Sequence, residues 1–291
     1  MKKRNLMFPL VIMIYILAVL ILLYPIVANK LAERNQMVVI ESYEGNIENV
    51  NEEEIQAERR RADKYNVSLY KHKVVLTDPF DLNAPDFPDG NYDTLLTMDE
   101  AMAYVEIPKI KVELPVYHGT DEEVLSKGVG HLKGSSLPVG GKGTHAVLSA
   151  HCGLPTAELF TNLEKLEIGD LFYVTSLKEK MAYRVDAINV VKPDETELLR
   201  IDENKDLITL ITCTPYAVNT HRLLVRGIRT EYVEENYNQE VDKGKFQLNL
   251  SKVEIVQIIA ILFSIVPLVM FIRLFGGRKK DKEKDDETVE E

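Results

Sequence analysis

The chain has 291 residues (33.1 kDa), with 35 basic and 46 acidic side chains and a formal net charge of -11. Being 45% hydrophobic and 28% charged excludes a disordered protein, and two cysteines exclude a disulfide scaffold or a four-cysteine zinc site. A pI near 5.2 argues against recognition of nucleic acid through its phosphates, which needs a clustered basic face.

Lys2, Lys3 and Arg4 lie in a short N-terminus, residues 1–5, that precedes 23 uncharged residues from Leu6 to Ala28. About 20 apolar helical residues cross a bilayer, so 6–28 reads as a transmembrane helix. A cleaved signal peptide is the alternative, but its apolar run is usually about 7–15 residues and ends in a small-x-small site. Residues 29–75 are highly charged and read as a helical segment. Asn51 with Glu54 three residues later forms a capping-box pattern, opening a helix that carries Ile55, Ala62, Tyr65 and Leu69. Two helices are expected between 29 and 73, either as a solvated stalk or packed through those apolar positions on the domain C-terminal to them.

Residues 76–95 read as a long loop with Pro79, Pro85 and Pro88, and loops of this length are usually functional or linkers. From 96 to 232 short β-rich runs alternate with glycine and proline: Tyr104–Ile107, Ala146–Ala150, Leu171–Thr175, Ala182–Val191, Leu207–Cys213 and Arg222–Arg229. Such spacing predicts a mainly β domain, a sandwich or barrel, with Leu159–Leu166 compatible with a helix. A juxtamembrane segment, 233–254, leads to a second uncharged run from Ile255 to Ile272. Arg273, Arg278, Lys279 and Lys280 come after it. Arg273 can snorkel, so a second span is expected over 255–275, with a charged tail, 276–291, beyond it. Both basic clusters flank the spans on their outer sequence sides. The positive-inside rule then places both termini in the cytoplasm and the intervening part, with 26 basic and 39 acidic residues, outside the cell membrane.

With two thiols and six histidines, the reactive constellations can be enumerated. Cys213 ends one expected strand, His151 ends another and Arg222 begins a third. A strand-terminal cysteine beside a proline-containing loop is placed to be partly exposed; the bland alternative is a buried, inert thiol. If the strands adjoin, the three groups meet at one rim. There a cation or base favours thiolate, and a guanidinium donates to a developing oxyanion. His72, His118 and His145 lack motif support and read as surface or packing residues. His131 and His221 are given no catalytic role. The histidines lack close helical spacing, so no metal is expected, and no cofactor.

The strings THAVLSAH, GLPTAELFTNL, TLITCTPY and NTHRLLVRG resemble the sortases, cysteine transpeptidases of Gram-positive surfaces. With YVEIPKIKVELPVYHGT and GVGHLKGSSLPVGGKGTHAVLSAH, the resemblance covers roughly residues 104–229. The LFTNL and CTPYxxNTHRLLVRG details, the second span and the Asp78-Pro79-Phe80 tripeptide look like class C, the pilin-polymerising members. The resemblance implies an eight-stranded β-barrel, to which the readings above add N-terminal helices and two transmembrane helices. It implies that Cys213 attacks the Thr–Gly bond of an LPxTG-like signal, that His151 exchanges protons with the amines, and that Arg222 holds substrate or oxyanion. The implied partners are pilin subunits bearing such a signal and an acceptor lysine. It also implies a lid, with Asp78 on the arginine and Phe80 over the cysteine. One departure stands out: where class C usually has HRGLP, this chain reads His151-Cys152-Gly153-Leu154-Pro155, so Cys152 is a candidate redox partner for Cys213. Other readings are a wall-anchoring sortase, a sortase-like hydrolase or a silent extracellular scaffold. A papain-like peptidase fits poorly, because His151 precedes a strand-ending cysteine.

Overall fold

A computed structural model describes residues 2–72, 76–81, 91–246 and 252–276. The middle of the loop expected at 76–95 (82–90) and nearly all of the charged tail expected at 276–291 lie outside the described residues. The chain divides into two compact units, Met1–Ala28 with Leu250–Glu291, and Asn29–Asn249.

In the first unit, helix α1 (Lys2–Asn49) begins, and helix α5 (Lys252–Gly276) closes the described chain. Among the described residues α1 is the one helix long and apolar enough to cross a membrane by the usual criteria, which fits membrane anchoring. Helix α5 is built on the second uncharged run, and the Tyr15 and Ser264 hydroxyls lie 3.2 Å apart.

In the second unit, eight strands close into a barrel. They are β1 (Ala103–Ile107), β2 (Val112–His118), β3 (Val129–His131), β4 (Thr144–Ser149), β5 (Leu171–Ser176), β6 (Glu179–Val191), β7 (Asp206–Thr214) and β8 (His221–Thr230). Their spatial order is β1-β2-β3-β4-β7-β8-β6-β5. The β2–β3 and β4–β7 pairs are parallel and the rest antiparallel. Valine, isoleucine, threonine and tyrosine populate these strands because branched and aromatic side chains suit a pleated surface. Strands β1, β4 and β5 are buried at every position, so helices or loops cover their outer faces as well as the barrel interior. At the β6–β8 pair the stacked rings of Phe172 and Tyr183 leave room only for glycine: a Cβ on Gly227 would sit 2.4 Å from Phe172.

Much of the covering comes from the segment expected to be either stalk or packed. It packs. The second half of α1 buries Ile40, Tyr43 and Ile47, and α2 (Glu52–His72) buries Ile55, Ala62, Tyr65 and Leu69. The first of the two helices is the continuation of the apolar one, with no break at Gly45. Asn51 Oδ1 accepts the Glu54 N–H at 2.9 Å. The reciprocal bond runs between side chains, Asn51 Nδ2 to Glu54 Oε1 at 2.8 Å. Polar groups lock the interface: Asn66 pairs with both backbone groups of Leu137, and buried Glu58 accepts the Leu96 N–H. Helix α4 (Glu234–Phe246), in the expected juxtamembrane segment, rests Tyr237 on Tyr173 and donates its hydroxyl to Glu106.

Leu159–Leu166 is not an α-helix but a series of turns with a single 3-10 turn at Leu163–Lys165. Leu159 has a positive φ of 42°, and the Phe160 N–H donates to the His151 carbonyl instead of to a helical neighbour. A tertiary hydrogen bond outcompetes the local helical pattern.

Candidate active site

Strands β7 and β8 place Cys213 opposite Arg222 in antiparallel register. Directly paired residues project to the same face with Cβ atoms about 4.5–5.5 Å apart, so sulfur and guanidinium share one rim. Strand β4 runs parallel to β7 with Ser149 beside Ile211. The pairing continues past the strand's end: the Ala150 N–H donates to the Ile211 carbonyl at 3.1 Å, and Thr212 Oγ1 to the Ala150 carbonyl at 2.7 Å. The same register carries His151 to the level of Cys213. The chain then turns away through Gly153, whose φ of +78° and 2.8 Å approach to the Tyr216 ring exclude a side chain.

The first end of the long loop lies on this rim. Asp78 grips Arg222 in a two-pronged ion pair, Nε to Oδ1 at 2.8 Å and Nη2 to Oδ2 at 2.6 Å, with both side chains nearly buried. Arg222 Nη1 is occupied by the carbonyls of Asn219 and His221. The Phe80 ring lies 5.1 Å from the Arg222 guanidinium carbon and 6.0 Å from the His151 ring, so it bridges the two polar groups. Leu76 and Phe80 also pack on an apolar floor of Leu132, Val147, Leu199, Ile211 and Leu224.

The partial exposure expected for Cys213 is corrected by the structure. The residue is buried, at 8% exposure, because it sits inside a closed rim. Burial pushes the thiol above its ordinary value; Arg222 opposes the shift and Asp78 adds to it. The pocket therefore holds a neutral thiol at neutral pH while Asp78 is in place.

Cys152 is half-buried beside His151, and no disulfide joins it to Cys213. His131 and His145 are fully buried and neutral, both held down to about 4 by burial. His145 spans from the Arg200 carbonyl to Thr209 Oγ1, a packing role. His118, partly buried, bonds the Leu95 carbonyl. His221, next to Arg222, is engaged with Thr220 Oγ1. The side chain of His72 lies outside the described residues.

Residue-by-residue reading misses one neighbour of the site. Glu122 stands in the first turn of a short helix, α3 (Glu122–Lys127), and its Oε2 lies 3.4 Å from His151 Nε2. No local pattern in the sequence ties a glutamate at 122 to a histidine at 151.

A sortase domain profile matches residues 105–230. The chain is 30% identical over 157 residues to sortase A of Bacillus anthracis, covering 54% of this chain and 72% of that protein. Other curated relatives are matched over less of their length, 57% for sortase D of Bacillus subtilis. Among solved structures, it superposes on sortase C1 of Streptococcus agalactiae with a TM-score of 0.64 and 44% identity, covering 69% of this chain and 98% of that one. Sortase C-1 of Streptococcus pneumoniae gives a TM-score of 0.63 and 48% identity, covering 67% of this chain and 98% of that one. The fold and the rim thus define a cysteine transpeptidase. The chain belongs to the sortase family, and its structural neighbours are class C members.

Proposed function

We propose that the protein is a membrane-anchored, pilin-polymerising sortase with Cys213, His151 and Arg222 as its reacting set. The observation that carries this reading is the closed rim, in which Arg222 is the register partner of Cys213 and also the anchor of Asp78.

In the reaction, Cys213 gives its thiol proton to His151 as Sγ attacks the threonine carbonyl carbon of an LPxTG-like signal, and Arg222 donates to the substrate or to the oxyanion that forms. The C–N bond to glycine breaks, and His151 delivers a proton to the leaving amine. This leaves a thioester on Cys213. A lysine amine of the next pilin attacks that carbonyl, His151 takes up the amine's proton and passes it to the departing sulfur, and the Cys213 thiol is regenerated as the isopeptide bond forms. One amide is exchanged for another, so no nucleotide is consumed.

Asp78-Pro79-Phe80 acts as a lid over this set. While Asp78 holds Arg222, the guanidinium is committed and the sulfur is enclosed, so the lid must leave before substrate is bound. The proposed organisation is two membrane spans, 6–28 and 255–275, with both termini cytoplasmic and the barrel, 96–232, outside.

Intact-mass detection of a thioacyl adduct on Cys213 after incubation with an LPxTG-like peptide tests the chemistry. Cys213→Ala should abolish the adduct and retain peptide binding; an adduct on Cys152 instead would sink the assignment. Pilin ladders built on a lysine acceptor, compared with products on a peptidoglycan amine, test the acceptor.

A further inference from the structure

The Nε2 atom of His151 is buried and has no hydrogen-bond partner, although the ring as a whole is about one-fifth exposed. A buried ring nitrogen without a partner is costly, and the tautomer of a histidine is ordinarily set by what its second nitrogen bonds. The Glu122 carboxylate is 3.4 Å away, within ion-pair reach but outside hydrogen-bond geometry. Unliganded sites often hold such contacts loosely and tighten them when substrate arrives.

Glu122 is well placed to close that gap. Its backbone is seated: Asp121 caps α3 by accepting the Val124 N–H at 3.0 Å, and Val124 and Leu125 are buried beneath. Its side chain is 67% exposed, so the carboxylate can swing the few tenths of an ångström needed without repacking anything. The other side chain packed near the ring, Phe80 at 6.0 Å between centroids, offers no acceptor.

We propose that Glu122 is a positioning residue for the transpeptidation: its carboxylate accepts the Nε2–H of His151, which holds the ring in one tautomer and leaves Nδ1 to exchange protons with substrate amines. The inference rests on the role given to His151 above. It deepens that role by naming the group that orients the ring. The ring is then held by two different means, an aromatic contact with Phe80 that departs with the lid and a carboxylate at its Nε2 edge that stays.

The test uses the full chain in detergent micelles with 15N-labelled histidine, in an Asp78→Ala background so that lid release does not limit turnover. At mildly alkaline pH, the His151 signals of that background should show the Nε2–H tautomer. Glu122→Ala should turn them into a mixture of tautomers. It should lower kcat about fivefold at nearly constant KM, a small part of the roughly 10²–10⁴ that a positioned acid or base contributes. Glu122→Gln keeps an acceptor oxygen at the same reach and should restore both the tautomer and most of kcat. A charge placed at a helix start for stability alone would leave the tautomer unmoved. Identical His151 tautomer populations with and without the carboxylate overturn the proposal, whatever the rates do. If the tautomer shifts while His151→Ala is as active as its parent, the role given to His151 is what falls.

Discussion

Residues 76–80 and residues 91–96 flank the same loop, yet different chemistry holds each of them. At the first end, Asp78 and Arg222 form a charged pair beside an aromatic ring that rests on the rim. At the second end, Tyr92 is wholly buried. Its hydroxyl lies 2.9 Å from His131 Nδ1 and accepts the Gly119 N–H, while its ring stacks on His131 at 5.6 Å and meets His118 edge-on. His131 Nε2 donates to the Ser136 carbonyl at 2.8 Å, which leaves Nδ1 as the acceptor for Tyr92. Water or an incoming substrate can replace the partners of a charged pair at a rim. Nothing small replaces a tyrosine packed inside the fold. Under the lid proposed above, the charged pair at the rim is the end to be released and the buried tyrosine the end that stays fixed.

The largest expected effect strikes the fixed end. Tyr92→Ala should cost about 3–5 kcal/mol, the usual range for truncating a buried aromatic, read as a lower denaturation midpoint. A change below about 1 kcal/mol would show that the second end is not structurally fixed.

Acid should act next, on His131 beneath Tyr92 and on the buried His145 of β4. Folding lowers His131 and His145 from 6.5 to about 4, so the folded chain prefers the neutral rings. Their contribution is complete above about pH 6.5 and is lost as pH falls toward 4. By linkage each removes roughly 3 kcal/mol by pH 4. Denaturant midpoints measured from pH 7 to 4.5 should fall, and His131→Gln should flatten the curve. Parallel curves for parent and variant would contradict the burial argument.

The releasable end should respond in reactivity more than in stability. Asp78→Ala frees Arg222 and removes a negative charge that raises the Cys213 thiol. Alkylation of Cys213 at neutral pH should then accelerate about tenfold, equivalent to about 1.4 kcal/mol. Phe80→Ala removes cover but not charge, and a rise of roughly threefold is expected, within the range of a partly buried contact. Equal labelling rates across parent and both variants would mean that 76–80 is a tether and not a lid.

Much of the fold is legible from local pattern. The six strands expected from the sequence lie within the observed ones to a few residues, because strand-favouring side chains and turn residues act locally. The start of α2 is readable from Asn51 and Glu54, and its buried face from Ile55, Ala62, Tyr65 and Leu69. Strands β2 and β3 do not stand out in the sequence, since Pro115 interrupts the seven residues of β2 and β3 is only three residues and gains its order from its neighbours. The helix that 159–166 is compatible with does not form, because a bond to the His151 carbonyl outweighs its apolar spacing.

At the rim the division is sharper. Residue types and motif strings are enough to nominate Cys213, His151 and Arg222, since thiol chemistry draws on few side chains. Three matters are settled only by strand order and register: that 213 faces 222, that β4 lies beside β7, and that the sulfur is covered. Glu122 depends wholly on the fold. It meets His151 through the packing of a short helix, and contacts between residues so far apart along the chain leave no periodicity for local pattern to report.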